Sequence, residues 1–376
     1  MTGSKQSTEV LIVGGGPVGL AAAIAVSQCG FQVTLAEGSA PPIEKPCGEG
    51  LLPETLRALQ RLGVRLDGSD GHAFRGISFV QDGVQVSAEF PDGDAVGLRR
   101  AVLHERLARR ANECGVNLLW NCPVSVSDSR AVRIPTGEIR ARWIVGADGH
   151  GSLVRRAIGL KQFPGTRLRF AKRRHYRVSA WSDYAEVHWS SRAQAPIQAY
   201  VTPVGRDEVC VVLLADRPEE ACFGRSLAAF PQLAQKLAGQ QLLSPERGAV
   251  TAMRSLVQVQ REKVALIGDA SGGVDAITGD GLRLGFEQAF ALADAMHTGD
   301  LCEYERAHRK LMRRPTRMGR LLLWLGRHPN VRARVFGALR NRPELFARML
   351  EAHVGMGTPA EVVATSASLS WKLLAS

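Results

Sequence analysis

The stretch Val10-Leu11-Ile12-Val13-Gly14-Gly15-Gly16-Pro17-Val18-Gly19 begins a unit that ends at Glu37 and decides the fold. Its apolar start predicts a buried strand, the Gly-x-Gly-x-x-Gly spacing predicts a tight turn, and the alanine-rich continuation predicts a helix. Gly14 allows the turn, Gly16 lets the backbone approach a pyrophosphate, and Gly19 lets the helix pack closely on the strand. A second strand ends at Glu37, whose carboxylate can accept hydrogen bonds from ribose hydroxyls. The unit predicts a dinucleotide site, and leaves FAD and NAD(P) as alternatives.

The composition suits a globular protein, because 376 residues with 45% hydrophobic side chains can bury one large core or two coupled ones. Residues 1–8 are polar, and no apolar run is long enough to span a bilayer, so a cytoplasmic location is expected. The seven cysteines are scattered, without a Cys-x-x-Cys pair. This favours reduced thiols and predicts no metal site.

The formal net charge of +12 is compatible with a nucleic acid, an anionic membrane or an acidic substrate. No nucleic-acid-binding signature is found, so no nucleic-acid partner is predicted. Residues 313–348 contain ten arginines and one acidic residue, Glu344, among apolar side chains. Two hypotheses follow for this region: peripheral contact with an anionic membrane, or a helical cap on the catalytic domains with a solvated arginine face. The cap is the favoured one.

Further along the chain, two patterns alternate. Period-two hydrophobicity with an Asp82-Gly83 turn predicts a hairpin after residue 76, and short alternating segments over 170–216 predict an antiparallel sheet. The α/β pattern returns in two hydrophobic strands, one followed by Asp148-Gly149 and the other ending in Gly268-Asp269, with a glycine-rich loop and a helix after it. We therefore expect a dinucleotide-binding fold interrupted by a substrate-side sheet.

The Gly14 fingerprint, Asp148-Gly149 and Gly268-Asp269, in this order, resemble the motifs of flavoprotein oxidoreductases that include para-hydroxybenzoate hydroxylase and geranylgeranyl reductase. The resemblance covers residues 8–300 and implies FAD as cofactor. It implies an α/β fold with an α+β insertion: a Rossmann-type, glutathione-reductase-like FAD-binding domain, an antiparallel-sheet substrate domain and a helical C-terminal tail. The expected domain ranges are 1–70, 97–160 and 250–300 for FAD, 71–96 and 161–249 for the substrate, and 301–376 for the tail.

The same resemblance assigns roles around the cofactor. Glu37 would hold the adenosine ribose, and Asp269 the ribityl chain. Arg100, in an Arg-x-x-Leu-x-x-x-Leu pattern, matches a family arginine that contacts the cofactor. Asp148 matches a motif associated with both FAD and the nicotinamide cofactor. The full set expected to bind cofactor is Gly14, Gly16, Gly19, Glu37, Arg100, Asp148, Asp269, Gly279 and Gly281, the last two facing the pyrimidine end of the flavin.

The loop from Lys45 to Gly50, with Cys47, looks like that of geranylgeranyl reductases, and similarity to them suggests that Cys47 lies near the flavin. The prenyl reductase signature Pro-x-x-Tyr-x-Trp-x-Phe-Pro is not found; the segment beginning at Tyr200 resembles monooxygenase-like members instead. The Trp-x-Trp-x-Ile-Pro pattern of halogenases is also not found. These departures favour a monooxygenase.

The leading hypothesis is an FAD-dependent monooxygenase that takes electrons from NADH or NADPH and hydroxylates an aromatic, polyketide-like or lipid-like small molecule. A phenolic substrate would need a base, and the candidates are His188, Tyr200 and Glu186. The alternative is a reductase that saturates prenyl or lipid double bonds, with Cys47 in the pocket. A flavin-dependent halogenase and a flavin-binding protein without turnover are minor hypotheses.

Overall fold

The computed structural model describes residues 4–126, 131–161, 163, 165, 167–190 and 196–354. Over these residues it contains a mainly parallel sheet with helices, a second, mainly antiparallel sheet and a run of C-terminal helices. This arrangement confirms the predicted fold class. The predicted tail extends to residue 376, and its part after residue 354 lies outside the described residues.

The strands are, in chain order, β1 (Ser4–Val13), β2 (Val33–Ala36), β3 (Gly50–Leu51), β4 (Gly71–Phe74), β5 (Gly76–Gln81), β6 (Val84–Glu89), β7 (Ala95–Leu98), β8 (Asn117–Leu119), β9 (Ser125–Val126), β10 (Ala131–Ile134), β11 (Gly137–Gly146), β12 (Arg167–Arg177), β13 (Tyr184–Trp189), β14 (Gln198–Gly205), β15 (Glu208–Ala215), β16 (Gln241–Leu242), β17 (Arg247–Met253), β18 (Gln260–Arg261) and β19 (Val264–Leu266).

The α-helices are α1 (Pro17–Gln28), α2 (Pro53–Arg61), α3 (Arg100–Glu113), α4 (Leu153–Ala157), α5 (Phe223–Ser226), α6 (Pro231–Leu237), α7 (Gly281–Thr298), α8 (Leu301–Arg327), α9 (Pro329–Asn341) and α10 (Pro343–Val354). Short 3-10 turns occur at Leu227–Ala229, Gly268–Ser271 and Ala276–Thr278.

The parallel sheet has the order β19-β11-β1-β2-β8, with β18, β10 and β9 added in antiparallel pairs. Its central strand β1 is buried from Val10 to Val13, as the apolar run predicts. Helices α1 and α7 pack together over this sheet. Because parallel strands present their carboxyl ends at one edge, the loops after β1, β2, β11 and β19 meet there. All the predicted glycine and aspartate motifs belong to these loops.

The second sheet has the order β16-β12-β15-β14-β13-β5-β6, with β17 also paired to β12. Its β5–β6 hairpin turns at Asp82 and Gly83, whose φ values of +48° and +80° fit the predicted two-residue turn. The hairpin joins the sheet through a parallel pair between β5 and β13. One face is covered by α5 and α6, and we call the opposite face, which meets the cofactor-side loops, the inner face.

A third, three-stranded sheet, β3-β7-β4, links segments on both sides of the predicted boundaries at 70 and 97. Its strands are two to four residues long, too short to show a period. The boundaries of the substrate domain stay a prediction.

The C-terminal helices bury their apolar side against β5, β6 and β13. Phe79 of β5 lies 4.7 Å from Phe346 and 6.0 Å from Phe336, measured between ring centroids. Arg332 is also buried, and it donates to Gln81 Oε1 at 2.6 Å and to the Ser190 carbonyl oxygen at 2.6 Å. The region therefore has the packing expected of a cap. Over the described residues, no helix combines the length and apolarity needed to cross a membrane.

Candidate active site

The turn after β1 has the geometry that its glycines predict. Gly14 has φ +112°, and a Cβ on Gly19 would lie 1.9 Å from the Gly14 carbonyl oxygen, so α1 and the turn touch backbone to backbone. A Cβ on Gly16 would meet no atom within 4 Å. The backbone at Gly16 therefore faces open space at the start of α1, where free N–H groups favour phosphate.

The carboxylate of Glu37 lies beside this turn. It accepts hydrogen bonds from the Gly15 N–H at 2.8 Å and the Ser39 N–H at 2.9 Å. His104 Nε2 contacts the Gly15 carbonyl oxygen at 2.9 Å, and burial lowers the pKa of His104, so the neutral ring donates there. Glu37 is thus fixed in place with acceptor capacity left for ribose hydroxyls.

Asp269 and Lys45 bring two distant loops together. Lys45 Nζ lies 2.5 Å from Asp269 Oδ2. Partial desolvation by the surrounding protein would raise the pKa of the Asp269 carboxyl, but Lys45 and then Arg100 hold it below its ordinary value. The side chains of Lys45 and Asp269 are about half-exposed, so a ribityl hydroxyl could reach the carboxylate. The three predicted participants, Arg100, Asp269 and the loop of Cys47, are therefore neighbours.

Asp148 caps a helix, in addition to its predicted role in cofactor binding. Its Oδ2 accepts from the Leu153 and Val154 N–H groups at 2.6 and 3.2 Å and so caps the short helix α4. Its Oδ1 is buried and has no partner among the described residues. Gly149 has φ +76°, and a Cβ there would meet no atom within 4 Å.

The loop after β19 leads to the start of α7. Gly279 has φ +70°, and neither Gly279 nor Gly281 would bring a Cβ within 4 Å of another atom. Because α7 begins at Gly281 and has 18 residues, its positive end lies at this open loop. Such a helix end stabilises negative charge on a neighbouring group.

A buried cluster around Glu49 was not predicted from the sequence. Glu49 Oε1 accepts from Arg173 Nη1 at 2.7 Å and from the Arg100 N–H at 3.0 Å, and Oε2 lies 2.7 Å from His175 Nε2. His175 Nδ1 in turn lies 2.7 Å from Ser244 Oγ. Burial alone would raise the pKa of Glu49, but His175 and Arg173 hold it below its ordinary value. The cluster ties the Cys47 loop to α3 and to the inner face.

Cys210 adds a third ligand-type atom to Glu49 and His175, all within 4.8 Å of one another. The guanidinium of Arg173 already supplies the positive charge beside Glu49. We therefore describe the cluster as a hydrogen-bonded ion network. The backbone of Glu49 within this cluster has φ +60°, which is unusual for a residue with a side chain and is visible only in the structure.

Cys47 lies between Lys45 and Glu49 and is half-buried. Its Sγ accepts a hydrogen bond from the Glu49 N–H at 3.3 Å, and its carbonyl oxygen lies 3.8 Å from Cys210 Sγ. The loop therefore rests on β15 on one side and approaches Asp269 through Lys45 on the other. This position fits a residue near the cofactor.

A second buried ion network lies on the inner face. Arg169, with 1% of its side chain exposed, donates to Asp275 Oδ1 at 3.1 Å and also to Gln198 Oε1. The charges of Arg169 and Asp275 both act on Tyr200, but burial dominates and raises its pKa. The Tyr200 hydroxyl is buried with no partner among the described residues. At neutral pH it stays protonated, which favours a hydrogen-bond donor, while the role of Tyr200 as a base stays a prediction.

The structure places His188 and Tyr200, both predicted as base candidates, on opposite faces of the sheet. His188 pairs in register with Ala199, so Tyr200, the next residue, points to the opposite face of the sheet. His188 lies 2.8 Å from Glu186 Oε2 and packs edge-on against Phe230, on the face that α5 and α6 cover. Glu186 shares this face and also accepts from Trp181 Nε1.

The open glycine backbone, the fixed Glu37 carboxylate and the free oxygen of Asp148 together fit a dinucleotide cofactor. The FAD binding domain family matches residues 7–299. The chain belongs to this family. It is an FAD-dependent oxidoreductase, as the resemblance implied.

Two curated relatives and one solved structure show the range of similar proteins. A menaquinone reductase of Mycobacterium tuberculosis is 27% identical over 327 residues, covering 79% of this chain and 78% of the relative. The 6-hydroxy-3-succinoylpyridine 3-monooxygenase HspB of Pseudomonas putida is 25% identical over 325 residues, covering 78% and 80%. The structure of p-nitrophenol 4-monooxygenase PnpA from Pseudomonas putida superposes with a TM-score of 0.78 at 18% identity, covering 94% of this chain and 99% of that one.

Two glycine substitutions should separate folding from cofactor binding. Gly19→Ala places a Cβ against backbone at 1.9 Å and should abolish stable folding, whereas Gly16→Ala meets only open space and should fold normally. Gly16→Ala should weaken FAD binding by about tenfold, or about 1.4 kcal/mol, because its methyl group occupies the approach of the pyrophosphate. Thermal unfolding of the apoprotein and FAD titration measure the two effects. Equal FAD affinity in Gly16→Ala and wild type would contradict the pyrophosphate assignment.

Glu49→Gln should change the pH dependence of stability. The pKa of Glu49 in the folded state is below its ordinary 4.5, so the ionised network contributes stability above that pH and loses it as the pH falls through the folded-state pKa. The variant leaves the buried Arg173 with only the longer contact to Glu44, 3.7 Å between Nη2 and Oε2, and should lose about 3 kcal/mol at neutral pH. Urea unfolding as a function of pH measures this, with Glu138→Gln, in an exposed pair with Arg140, as control. Parallel pH profiles for Glu49→Gln and wild type would contradict the assignment.

Proposed function

We propose that this enzyme is a monooxygenase that takes electrons from NADH or NADPH and hydroxylates an aromatic, polyketide-like or lipid-like small molecule. Bound FAD supplies the redox and oxygen chemistry. The protein's contribution is to hold the cofactor, orient the substrate and exclude water.

The observation that carries this proposal is the polar chemistry of the inner face. Arg169 and Tyr200 lie there beside Asp275, which belongs to the loop between Asp269 and α7. Arg169 is already paired with Asp275, so the unpartnered Tyr200 phenol is the group that can stabilise an oxygen anion on an aromatic ring. A phenolate is the electron-rich form that hydroxylation requires, so these residues would orient and activate such a substrate without a base of their own.

We assign the cofactor contacts according to the geometry of the groove. Gly14, Gly16 and Gly19 would hold the pyrophosphate at α1, and Glu37 the adenosine ribose. Asp269 would bind the ribityl chain while Lys45 and Arg100 keep it ionised. The open backbone at Gly279 and Gly281 would lie under the flavin ring, and the free oxygen of Asp148 would face the cofactor or its electron donor.

A second candidate function is reduction of a carbon–carbon double bond in a prenyl or lipid chain. Cys47 favours it, because the loop holds this residue beside the cofactor groove with its Sγ fixed by the Glu49 N–H. The relative named menaquinone reductase also supports a reductase. The buried charges of the inner face argue for a substrate with a polar head, which does not suit a plain hydrocarbon chain.

Product analysis distinguishes the two functions. The FAD-loaded enzyme is incubated with NADPH and a panel of alkyl phenols, aromatic acids and prenyl lipids, with and without dioxygen. A monooxygenase should consume dioxygen and NADPH in equal amounts and add one oxygen atom to an aromatic substrate. Anaerobic oxidation of NADPH with two hydrogens added to a prenyl lipid would instead show the reductase. A protein that retains no FAD would contradict both.

Tyr200→Phe should then raise the KM for a phenolic substrate by about tenfold, the effect of losing one hydrogen bond to a charged oxygen. Thermal stability should change little, because the hydroxyl has no partner among the described residues. Tyr184→Phe, which removes an exposed hydroxyl bonded to Glu89, is the matched control. An unchanged KM in Tyr200→Phe would remove this residue from the substrate site.

We also propose that any membrane contact is peripheral and electrostatic. Most apolar side chains of α8 to α10 are buried, with Leu321 and Trp324 as exposed exceptions, so exposed arginines would make most of the contact. Arg334→Glu with Arg340→Glu should therefore lower co-sedimentation with anionic liposomes. Arg332 does not belong in this test, since its burial would make a substitution unfold the cap. Unchanged co-sedimentation would contradict the membrane proposal.

A further inference from the structure

A cavity of about 670 Å³ lies between the last two turns of α8 and the edge of the antiparallel sheet. Helix α8 contributes Arg320, Trp324 and Arg327, which share one face because they are spaced four and three residues apart. The sheet side contributes Arg167 at the start of β12 and Arg254 just after β17. The volume falls in the range of small-molecule sites.

The charge of this cavity is unbalanced. Four arginines line it, and no carboxylate is found among the described residues of its wall. Asp216, behind the wall, pairs with Arg167 and lies 3.5 Å from Arg327, but it also lies 3.2 Å from Arg169. Because Asp275 also pairs with Arg169, three guanidinium groups share two carboxylates, which still leaves the site short of negative charge.

Arg254 is the most deeply buried of the four, with 9% of its surface exposed. Its Nη1 donates to the His150 carbonyl oxygen at 3.0 Å, while its Nε is buried with no partner among the described residues. Burial lowers the pKa of Arg254, and Asp269 offsets this only in part. A buried cation with a free donor is costly unless a ligand completes it.

Aromatic surfaces complete the cavity wall. Trp324 and Phe163 line it with 47% and 51% of their surfaces exposed. Trp324 stacks on His328 with ring centroids 4.5 Å apart. Exposed rings beside guanidinium groups suit a planar aromatic ligand that carries negative charge.

The cavity shares a wall with the cofactor groove. The backbone of Arg254 exchanges two hydrogen bonds of 3.0 Å with Gly273, in the loop that follows Asp269. The same guanidinium reaches His150, next to Gly149. Arg254 therefore lines the cavity and also contacts both loops assigned to FAD.

We propose that this cavity binds an aromatic organic anion that takes part in the reaction. Two reactants have this chemistry: an acidic aromatic substrate, and the reduced nicotinamide dinucleotide. This inference rests on the proposed function, because it takes the bound anion to be a reactant of that reaction. The binding experiment does not require turnover.

The probe is 8-anilinonaphthalene-1-sulfonate, an aromatic anion, titrated into the FAD-loaded enzyme by isothermal calorimetry. Arg320→Gln with Arg327→Gln should weaken its binding by at least about tenfold, because charge-assisted contacts are lost. Arg320→Lys with Arg327→Lys keeps the charge and should retain most of the affinity. Arg309→Gln, on the same helix but outside the cavity and 69% exposed, should bind as wild type does.

Competition identifies the natural ligand. Displacement of the probe by NADPH assigns the cavity to the electron donor, and displacement by aromatic acids or phenols assigns it to the substrate. Displacement by neither, or equal probe affinity in the Gln variant and wild type, overturns the proposal. If the wild-type enzyme hydroxylates no substrate of the panel but still binds the probe in a charge-dependent way, the monooxygenase assignment is contradicted and the cavity proposal stands.

Discussion

The burial of the Glu49 carboxylate constrains the rest of the molecule. An ionised carboxylate with 2% exposure is stable only if partners replace its water. Those partners come from separate elements: Arg173 and His175 from β12, and the Arg100 N–H from the start of α3. The Cys47 loop, the inner face and α3 must therefore dock together. The contacts made by Glu49 in this arrangement offset the energetic cost of its positive φ.

The Arg169 network repeats this principle at the other side of the cofactor groove. It joins β12 and β14 to Asp275 in the loop before α7. The two networks thus hold the antiparallel sheet against both loops that would flank the flavin ring. A site in which the cofactor and substrate must be placed within a fraction of an ångström needs such fixed support. Removing either the Glu49–Arg173 pair or the Arg169–Asp275 pair would loosen both a loop assigned to the cofactor and the inner face.

The C-terminal helices close the remaining side and also shape the distribution of charge. Their leucines and phenylalanines pack on β5, β6 and β13, and Arg332 is buried among backbone carbonyls and Gln81. Arginine side chains thus serve three purposes in this chain: internal ties, a solvated outer surface and the wall of the cavity beside the cofactor. The net charge of +12 summed over the sequence does not distinguish these purposes.

The sequence alone determined the fold class and the conformation of the glycine turn, because each depends on residues that lie close together in the chain. A strand, a glycine turn and a helix follow one another between Val10 and Gln28, and the steric demands at Gly14 and Gly19 are local. Only the tertiary structure decided which strand residues lie on the inner face. His188 and Tyr200 have similar local patterns, yet the pairing of β13 with β14 sends them to opposite faces. The Glu49–Arg173 bond joins residues 124 positions apart, and only the packing of the two sheets brings those charges together.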